Sequence, residues 1–175
     1  NGGTFTAPAS SNITGNWINE GTYYHSNGTV NLIGNNQTID GSTIFYNLTK
    51  TTLTPKTLTF VGNNLKTQTI QGTLTLQGAV GNNLSLRSSA SPTQWRIDAQ
   101  GEVNLAYLDV QDSNSVNIYP IDIEASKYTD SGNNTNWTDR YDCLLGGSHN
   151  GRNWNPFTTC PAGISGNHTN VNALT

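Results

Sequence analysis

"GNNLKTQTIQGTLTLQGAVGNNLSLRSS", residues 62–89, carries two signals at once. Between the glycines, apolar and polar residues alternate, as in Thr73-Leu74-Thr75-Leu76 and Leu84-Ser85-Leu86. Such alternation places Leu74 and Leu76, or Leu84 and Leu86, on one face of a half-buried strand. At the boundaries the same word, G-N-N, returns at Gly62 and Gly81. Glycine and asparagine both accept the left-handed backbone that tight turns require. The stretch reads as short strands separated by turns of one recurring chemistry.

The pattern extends outward in both directions. "TLTF" (57–60), "WRID" (95–98), "EVNLAYLDV" (102–110) and, despite Pro120, "SVNIYPIDI" (115–123) alternate with period two. No window sustains apolar residues at helical spacing, so no helix is predicted. G-N-N also occurs at Gly34 and Gly132, and Gly34, Gly62 and Gly81 are 28 and 19 residues apart, within the range of solenoid repeats. That spacing is too irregular for a calcium-binding nonapeptide repeat. The expected fold is all-β: a coiled parallel β-helix with inward apolar ladders and G-N-N words at aligned corners. A jelly-roll β-sandwich is the alternative, because period two does not separate parallel from antiparallel pairing.

Composition supports short strands and tight turns. The 175 residues fit one domain and include 25 Asn, 25 Thr and 18 Gly, while charged residues make up only 11%. A net charge of −3 without any Lys/Arg cluster argues against nucleic acid as a partner. No apolar run approaches the ~18 residues of a membrane span, so membrane insertion is not expected. The chain starts Asn1-Gly2-Gly3, without Met or a signal-peptide core, and reads as a trimmed or mature segment. Cys143 and Cys160 do not have metal-ligand spacing, and a disulfide between them is expected, which points to an oxidising compartment.

Trp17, Trp137 and Trp154 each follow an Asn. Trp17 and Trp137 bracket the repetitive region, where bulky aromatics would cover the ends of a stack of coils. The competing reading is a sugar-binding platform built from Trp17, Tyr23, Tyr24, Trp95 or Trp154.

"GNWINEGTYYHSNGTVNLIGNNQTIDGSTIFYNLTKT", "TLTLQGAVGNNLSLRSS", "TQWRID", "VNLAYLDVQDSN" and "DSGNNTNW" together resemble a β-strand-repeat module of large bacterial surface and extracellular proteins. The resemblance covers about Gly15 to Trp137. It implies a right-handed parallel β-helix, a secreted or surface-exposed location and no known reaction. Three regions follow: an N-terminal arm or first strand (1–14), a β-helix repeat domain (15–139) and a C-terminal capping region (140–175) closed by Cys143–Cys160.

Chemistry has few candidates. Arg96, Asp98, Asp109, Asp112 and Asp122 are the residues that a polysaccharide lyase or hydrolase on this scaffold would use. Of the polygalacturonase signature, only Arg96-Ile97 is present. His25, His149 and His168 are scattered, and none stands beside a candidate nucleophile. No enzyme activity, cofactor or metal is expected. Asp112 in D-S-N reads as a turn residue. Eight N-x-S/T sequons occur, at Asn12, Asn27, Asn36, Asn47, Asn83, Asn133, Asn136 and Asn167, a number close to what so much Asn, Ser and Thr gives by chance. They are sites for glycans if the source glycosylates secreted proteins.

The leading functional expectation is an extracellular structural protein, a subunit of a cell-surface layer or filament whose partners are other copies of itself. Thr4, Phe5, Thr6 and Ala7 ("TFTA") alternate and are expected to act as an assembly arm, added as a strand to a neighbour, or as a plain first strand. A carbohydrate-binding or adhesin module is the second expectation, with glycans as partners.

Overall fold

The computed structural model describes residues 3–62, 65–140, 147–149 and 152–154. Its strands wind in coils of three. The first coil holds β1 (Thr4–Thr6), β2 (Ser10–Ile13) and β3 (Trp17–Ile18). The second holds β4 (Thr22–Tyr24), β5 (Thr29–Leu32) and β6 (Gln37–Asp40). The third holds β7 (Thr43–Phe45), β8 (Asn47–Thr51) and β9 (Lys56–Phe60). Then come β10 (Thr67–Ile70), β11 (Thr73–Gln77) and β12 (Leu84–Ser88), and after them β13 (Trp95–Ala99), β14 (Glu102–Ala106) and β15 (Leu108–Val110). A sixth coil has β16 (Ser113–Ser115), β17 (Ile121–Glu124), a 3₁₀ turn and β18 (Tyr128–Asp130), and β19 (Trp137–Arg140) opens a seventh.

Most strands pair in parallel with the one three places later, as β11 does with β14, and β17 pairs in parallel with β19, two places later. Three faces result. Face I runs β7-β10-β13-β16, preceded by the β1-β4 pair; face II runs β2-β5-β8-β11-β14; face III runs β3-β6-β9-β12-β15-β18. This is a three-sided parallel solenoid. The antiparallel sandwich alternative is set aside, because the ladders of the three faces are all parallel; only β20 (Gly147–His149) and β21 (Arg152–Trp154), beyond the coils, pair as an antiparallel hairpin. Residues 1–14 are not set apart from the repeats: Thr4–Thr6 and Ser10–Ile13 are strands of the first coil, paired with β4 and β5. Cys143 and Cys160, and most of the expected capping region, lie outside the described residues.

Alternation becomes burial on all three faces. Leu48, Leu74, Leu84, Leu86, Leu108, Ile39 and Ile70 point inward into one apolar core. Some alternating runs are nevertheless split between two faces. "EVNLAYLDV" turns a corner at Tyr107, whose φ is +52°, so Val103 and Val110 lie on different sheets. "SVNIYPIDI" leaves the ladder after Ser115 and re-enters at Ile121, beyond Pro120. The coils also differ in length. Aligned residues are 16 apart at Ile121–Trp137 and 29 apart at Thr67–Arg96, because loops of variable size bulge from the corners. Where no loop bulges, backbone packs on backbone: a Cβ on Gly101 would sit 1.9 Å from the Gly72 carbonyl oxygen of the preceding coil.

One inward position is charged. Lys50, in β8, is 1% exposed and aligns with Leu76. Its ammonium donates to the Gly34 and Asn35 carbonyls (3.0 and 3.1 Å) and to Gln37 Oε1 (2.7 Å). Gln37 Nε2 in turn donates to the Ile13 and Gly15 carbonyls of the first coil. The pair thus supplies donors to corner carbonyls of the two preceding coils. The ammonium has no carboxylate here. Burial first, and the Lys56 charge second, push the Lys50 pKa from 10.5 down to about 8.

A lowered amine pKa has a definite sign for stability. Between about pH 8 and 10.5 the unfolded chain holds this proton more tightly than the folded one, so stability rises with pH across that window. The full effect is on the order of 3 kcal/mol. Denaturant midpoints measured from pH 7 to 9.5 should climb for the native chain more than for Lys50→Met, which lacks the group. Parallel curves for the two proteins would show that Lys50 does not titrate in this range.

Candidate assembly surface

The Asn-rich words sit at corners, as their composition suggests, but not at one aligned corner. Gly34-Asn35-Asn36 and Gly81-Asn82-Asn83 join face II to face III, whereas Gly132-Asn133-Asn134 follows β18 and leaves face III. What aligns is the position just before or at a strand's start. Asn16 and Asn36 each accept, through Oδ1, the backbone N–H of the aligned residue one coil later, Thr38 and Thr57 (both 2.9 Å). Asn47 does the same for Thr73 (2.7 Å) and also donates Nδ2 to Thr29 Oγ1 in the preceding coil (3.1 Å). Ser42 accepts from Thr67 in the same manner. These side chains continue the ladder where the backbone has begun to turn.

The stretch "DSGNNTNWTD" (130–139) is the densest case. Asn133 Nδ2 donates to the Pro92 carbonyl and to Asp112 Oδ1 (both 2.7 Å). Asn134 accepts from the Ser113 N–H at 3.0 Å and donates to the Val110 carbonyl at 2.8 Å, and Asn136 donates to the Ser115 carbonyl at 2.9 Å. Asp112, 2% exposed with φ of +55°, is a corner residue held by Asn133. The amides here bind neighbouring coils.

The other acid–base candidates fall on separate faces. Arg96 and Asp98 are on β13, where Gln100 (2.7 Å) and Asn117 (2.8 Å) donate to the Asp98 carboxylate. Asp109, on β15, is bonded by Arg87 and Ser131. Asp122, on β17, accepts from the Thr138 hydroxyl. Among the described residues no three His, Cys, Asp or Glu side chains are grouped to hold a metal.

Two aromatic clusters fill the core near the ends of the solenoid. Trp17 meets Tyr23 and Phe45 (ring centres 5.0 and 5.2 Å), and Phe5 stacks on Tyr23 at 6.0 Å. Toward the other end, Trp95 stacks on Phe60 at 3.9 Å, and Trp137 stacks on Tyr128. The indole N–H of each is satisfied from within: Trp17 by Thr43 Oγ1, Trp95 by the Gln111 carbonyl, Trp137 by Ser113 Oγ. Trp95 is fully buried, and Trp17 and Tyr23 are half-buried. Of the proposed sugar platform only Tyr24 is well exposed, and the side chain of Trp154 lies outside the described residues.

Among the described residues β1, β2 and β3 are each the last strand of their sheets, with a ladder partner on one side only. The Gly3 carbonyl and the Ala7 N–H bond to Thr22 and Tyr24 of β4. By the alternation of a strand, Thr4 and Thr6 direct their backbone groups away from it. Phe5 lies over Tyr23 and remains 51% exposed, while Ala7 is buried. Neither charge nor proline protects these edges: the strands read TFT, SSNI and WI.

The seven described sequons divide by what their amides do. Asn47, Asn133 and Asn136 spend Nδ2, the atom a glycan would occupy, on neighbouring coils, and Asn83 bonds Thr129. Asn12 accepts from Asn31, and Asn36 uses only its oxygen on the next coil. Asn27 lies exposed on the turn that Gly28 closes by donating to the His25 carbonyl. Asn167 lies outside the described residues. Sequence reasoning treated the eight alike, since the motif carries no information about the amide's partner.

Comparison with family models, curated proteins and solved structures finds no match to the chain.

The amide bonds between coils give a stability prediction. Asn47→Ala leaves the Thr73 N–H without its acceptor and should cost roughly 1–3 kcal/mol. Asn27→Gly, which keeps the left-handed backbone of that exposed turn, should change stability by less than about 0.5 kcal/mol. Chemical denaturation of the two variants beside the parent checks the contrast, and equal effects would refute the ladder-extending role of Asn47.

Proposed function

We propose that this chain is an extracellular structural module that assembles end to end into a filament or cell-surface layer. The observation that carries the reading is the first coil, whose three strands have a ladder partner on one side only among the described residues. Three uncharged, proline-free strand edges surround a half-exposed Phe5, a combination that invites another strand or another coil to continue the stack. Joining the first coil of one copy to the far end of the next is a head-to-tail contact, which does not close on itself and so propagates. The assembly segment Thr4–Ala7 acts in place on this reading, as a receiving edge rather than a detached arm.

Other features support the same role. The low charge removes the repulsion that keeps stacked copies apart. The resemblance to β-strand-repeat modules of bacterial surface proteins fits an extracellular location, as would a Cys143–Cys160 disulfide and glycans on exposed sequons such as Asn27. The coils are right-handed on this reading, the hand that parallel strands joined by crossovers adopt. The adhesin reading through an aromatic platform has less support, because Trp95 is buried and Trp17 and Tyr23 pack into the core. The module carries out no reaction.

Electron microscopy and sedimentation of purified protein test the proposal. The parent should form filaments or large assemblies. Thr6→Pro removes an outward N–H, and Phe5→Asp places an unpaired charge at the stacking surface; both should suppress assembly while β-sheet circular dichroism stays unchanged. Assembly that proceeds equally with both changes would exclude the first coil as the contact. Release of reducing or unsaturated sugars from a polysaccharide panel, lost on Asp109→Asn, would replace the structural reading with an enzymatic one.

A further inference from the structure

We infer that Asn27-Gly28 is a modification site, where the chain converts spontaneously to aspartate and isoaspartate, and that His25 limits the rate by holding the turn closed. This holds whether or not copies assemble.

The reaction needs a side-chain amide that is held by nothing and a following backbone nitrogen that no side chain shields. The corner between β4 and β5 has both. Asn27 is exposed, and among the described residues nothing bonds its Oδ1 or Nδ2. Asn47, Asn133, Asn134 and Asn136, by contrast, are fixed to neighbouring coils. The next residue is Gly28, which has no Cβ. The other two Asn-Gly pairs, Asn1-Gly2 and Asn150-Gly151, lie outside the described residues.

The chemistry draws only on water and hydroxide. Hydroxide removes the Gly28 N–H proton, and the nitrogen attacks Asn27 Cγ. The Cγ–Nδ2 bond then breaks, and Nδ2 leaves as ammonia after taking a proton from water, which restores the hydroxide. A five-membered imide remains. Water opens it at Cγ to give aspartate, or at the backbone carbonyl to give isoaspartate, whose main chain runs through Cβ and Cγ. The sum is asparagine plus water to either product plus ammonia, with nothing oxidised or reduced.

The turn restrains the first step. Ser26 and Asn27 both have positive φ, +46° and +56°, and the Gly28 N–H donates to the His25 carbonyl at 2.7 Å, a tight turn of type I′ form. The proton to be lost is therefore engaged. His25 adds a second tie, since its Nδ1 accepts the Asn27 N–H at 3.0 Å. Asn19, Asn117 and Asp130 make the same bond to the N–H two residues on at other turns. Here the acceptor is a ring that stacks on Tyr46 and bonds Gln71 Oε1 two coils later through Nε2. Attack on Cγ thus waits for a brief local opening.

The isoaspartate product does not fit the stack. Gly28 is buried, and a Cβ on it would meet the Pro8 carbonyl oxygen at 2.4 Å. Its carbonyl accepts the Asn47 N–H of the following coil, while the Thr29 N–H donates to the Ala9 carbonyl of the preceding one. An extra main-chain methylene just before this doubly fixed point, together with a new negative charge, loosens the contact between the first two coils.

Peptide mapping by mass spectrometry tests this on chain produced without glycosylation, because Nδ2 is also the atom a glycan would occupy. At mildly alkaline pH, conversion at Asn27 should be roughly tenfold slower in the native chain than in denaturant. His25→Ala should speed native conversion about three- to tenfold, the loss of one hydrogen bond. His25→Asp keeps an acceptor, as Asp130 does for Gly132, and should stay near the parent rate. Circular dichroism checks that both variants fold. The isoaspartate form, separated by ion exchange, should unfold at lower denaturant than the unconverted chain. Native conversion as fast as in denaturant, a His25→Ala chain no faster than the parent, a His25→Asp chain as fast as His25→Ala, or an isoaspartate form as stable as the parent would each overturn the inference.

Discussion

Every other feature of this molecule depends on the ladder of backbone hydrogen bonds from one coil to the next. Each paired strand must place its donors and acceptors against those of the strand one coil later, and the spacing of that ladder leaves no freedom along the solenoid axis. Side chains at aligned positions are therefore forced into columns. Inward columns such as Leu48–Leu74–Val103 fill the core, and outward ones such as Asn12–Asn31–Thr49 form the surface.

The constraint is hardest to meet at the corners. There the backbone turns away from the ladder, yet the next coil still lies directly above, and its backbone groups need other partners. Two solutions recur. Where the coils touch, glycine removes the side chain, as at Gly101 over Gly72. Elsewhere a side-chain amide replaces the missing backbone partner, as Asn36 does for Thr57 and Asn134 for Ser113. Lys50 is the extreme form, an ammonium inside the core that gathers carbonyls from the preceding coil. The abundance of asparagine is thus largely a consequence of stacking.

A solenoid closes its ladders along its length but not at its ends, and this separates the roles of its surfaces. Aromatic clusters close the core near both ends, with their polar atoms turned inward to Thr43 and Ser113. The strands of the first coil have a ladder partner on one side only among the described residues. Within the side faces, by contrast, interior strands such as β8 and β12 are paired on both sides.

Period-two alternation and the recurring G-N-N words were enough to determine an all-β chain of short strands and Asn-rich turns, because both signals are local. Leu74, Leu76, Leu84 and Leu86 could be assigned to the core from alternation alone. The tertiary structure decided which strands pair, since parallel partners are 16 to 29 residues apart and alternation is blind to what lies across the ladder. It broke 102–110 at Tyr107, where a non-glycine residue takes a left-handed turn that its type does not announce. It also turned Lys50 inward, in a run where "NLTKT" marks it only as alternating in phase with Leu48. The amide partners of Asn47 and Asn133 were equally out of reach. Each depends on the register between coils, and register is a property of the stack.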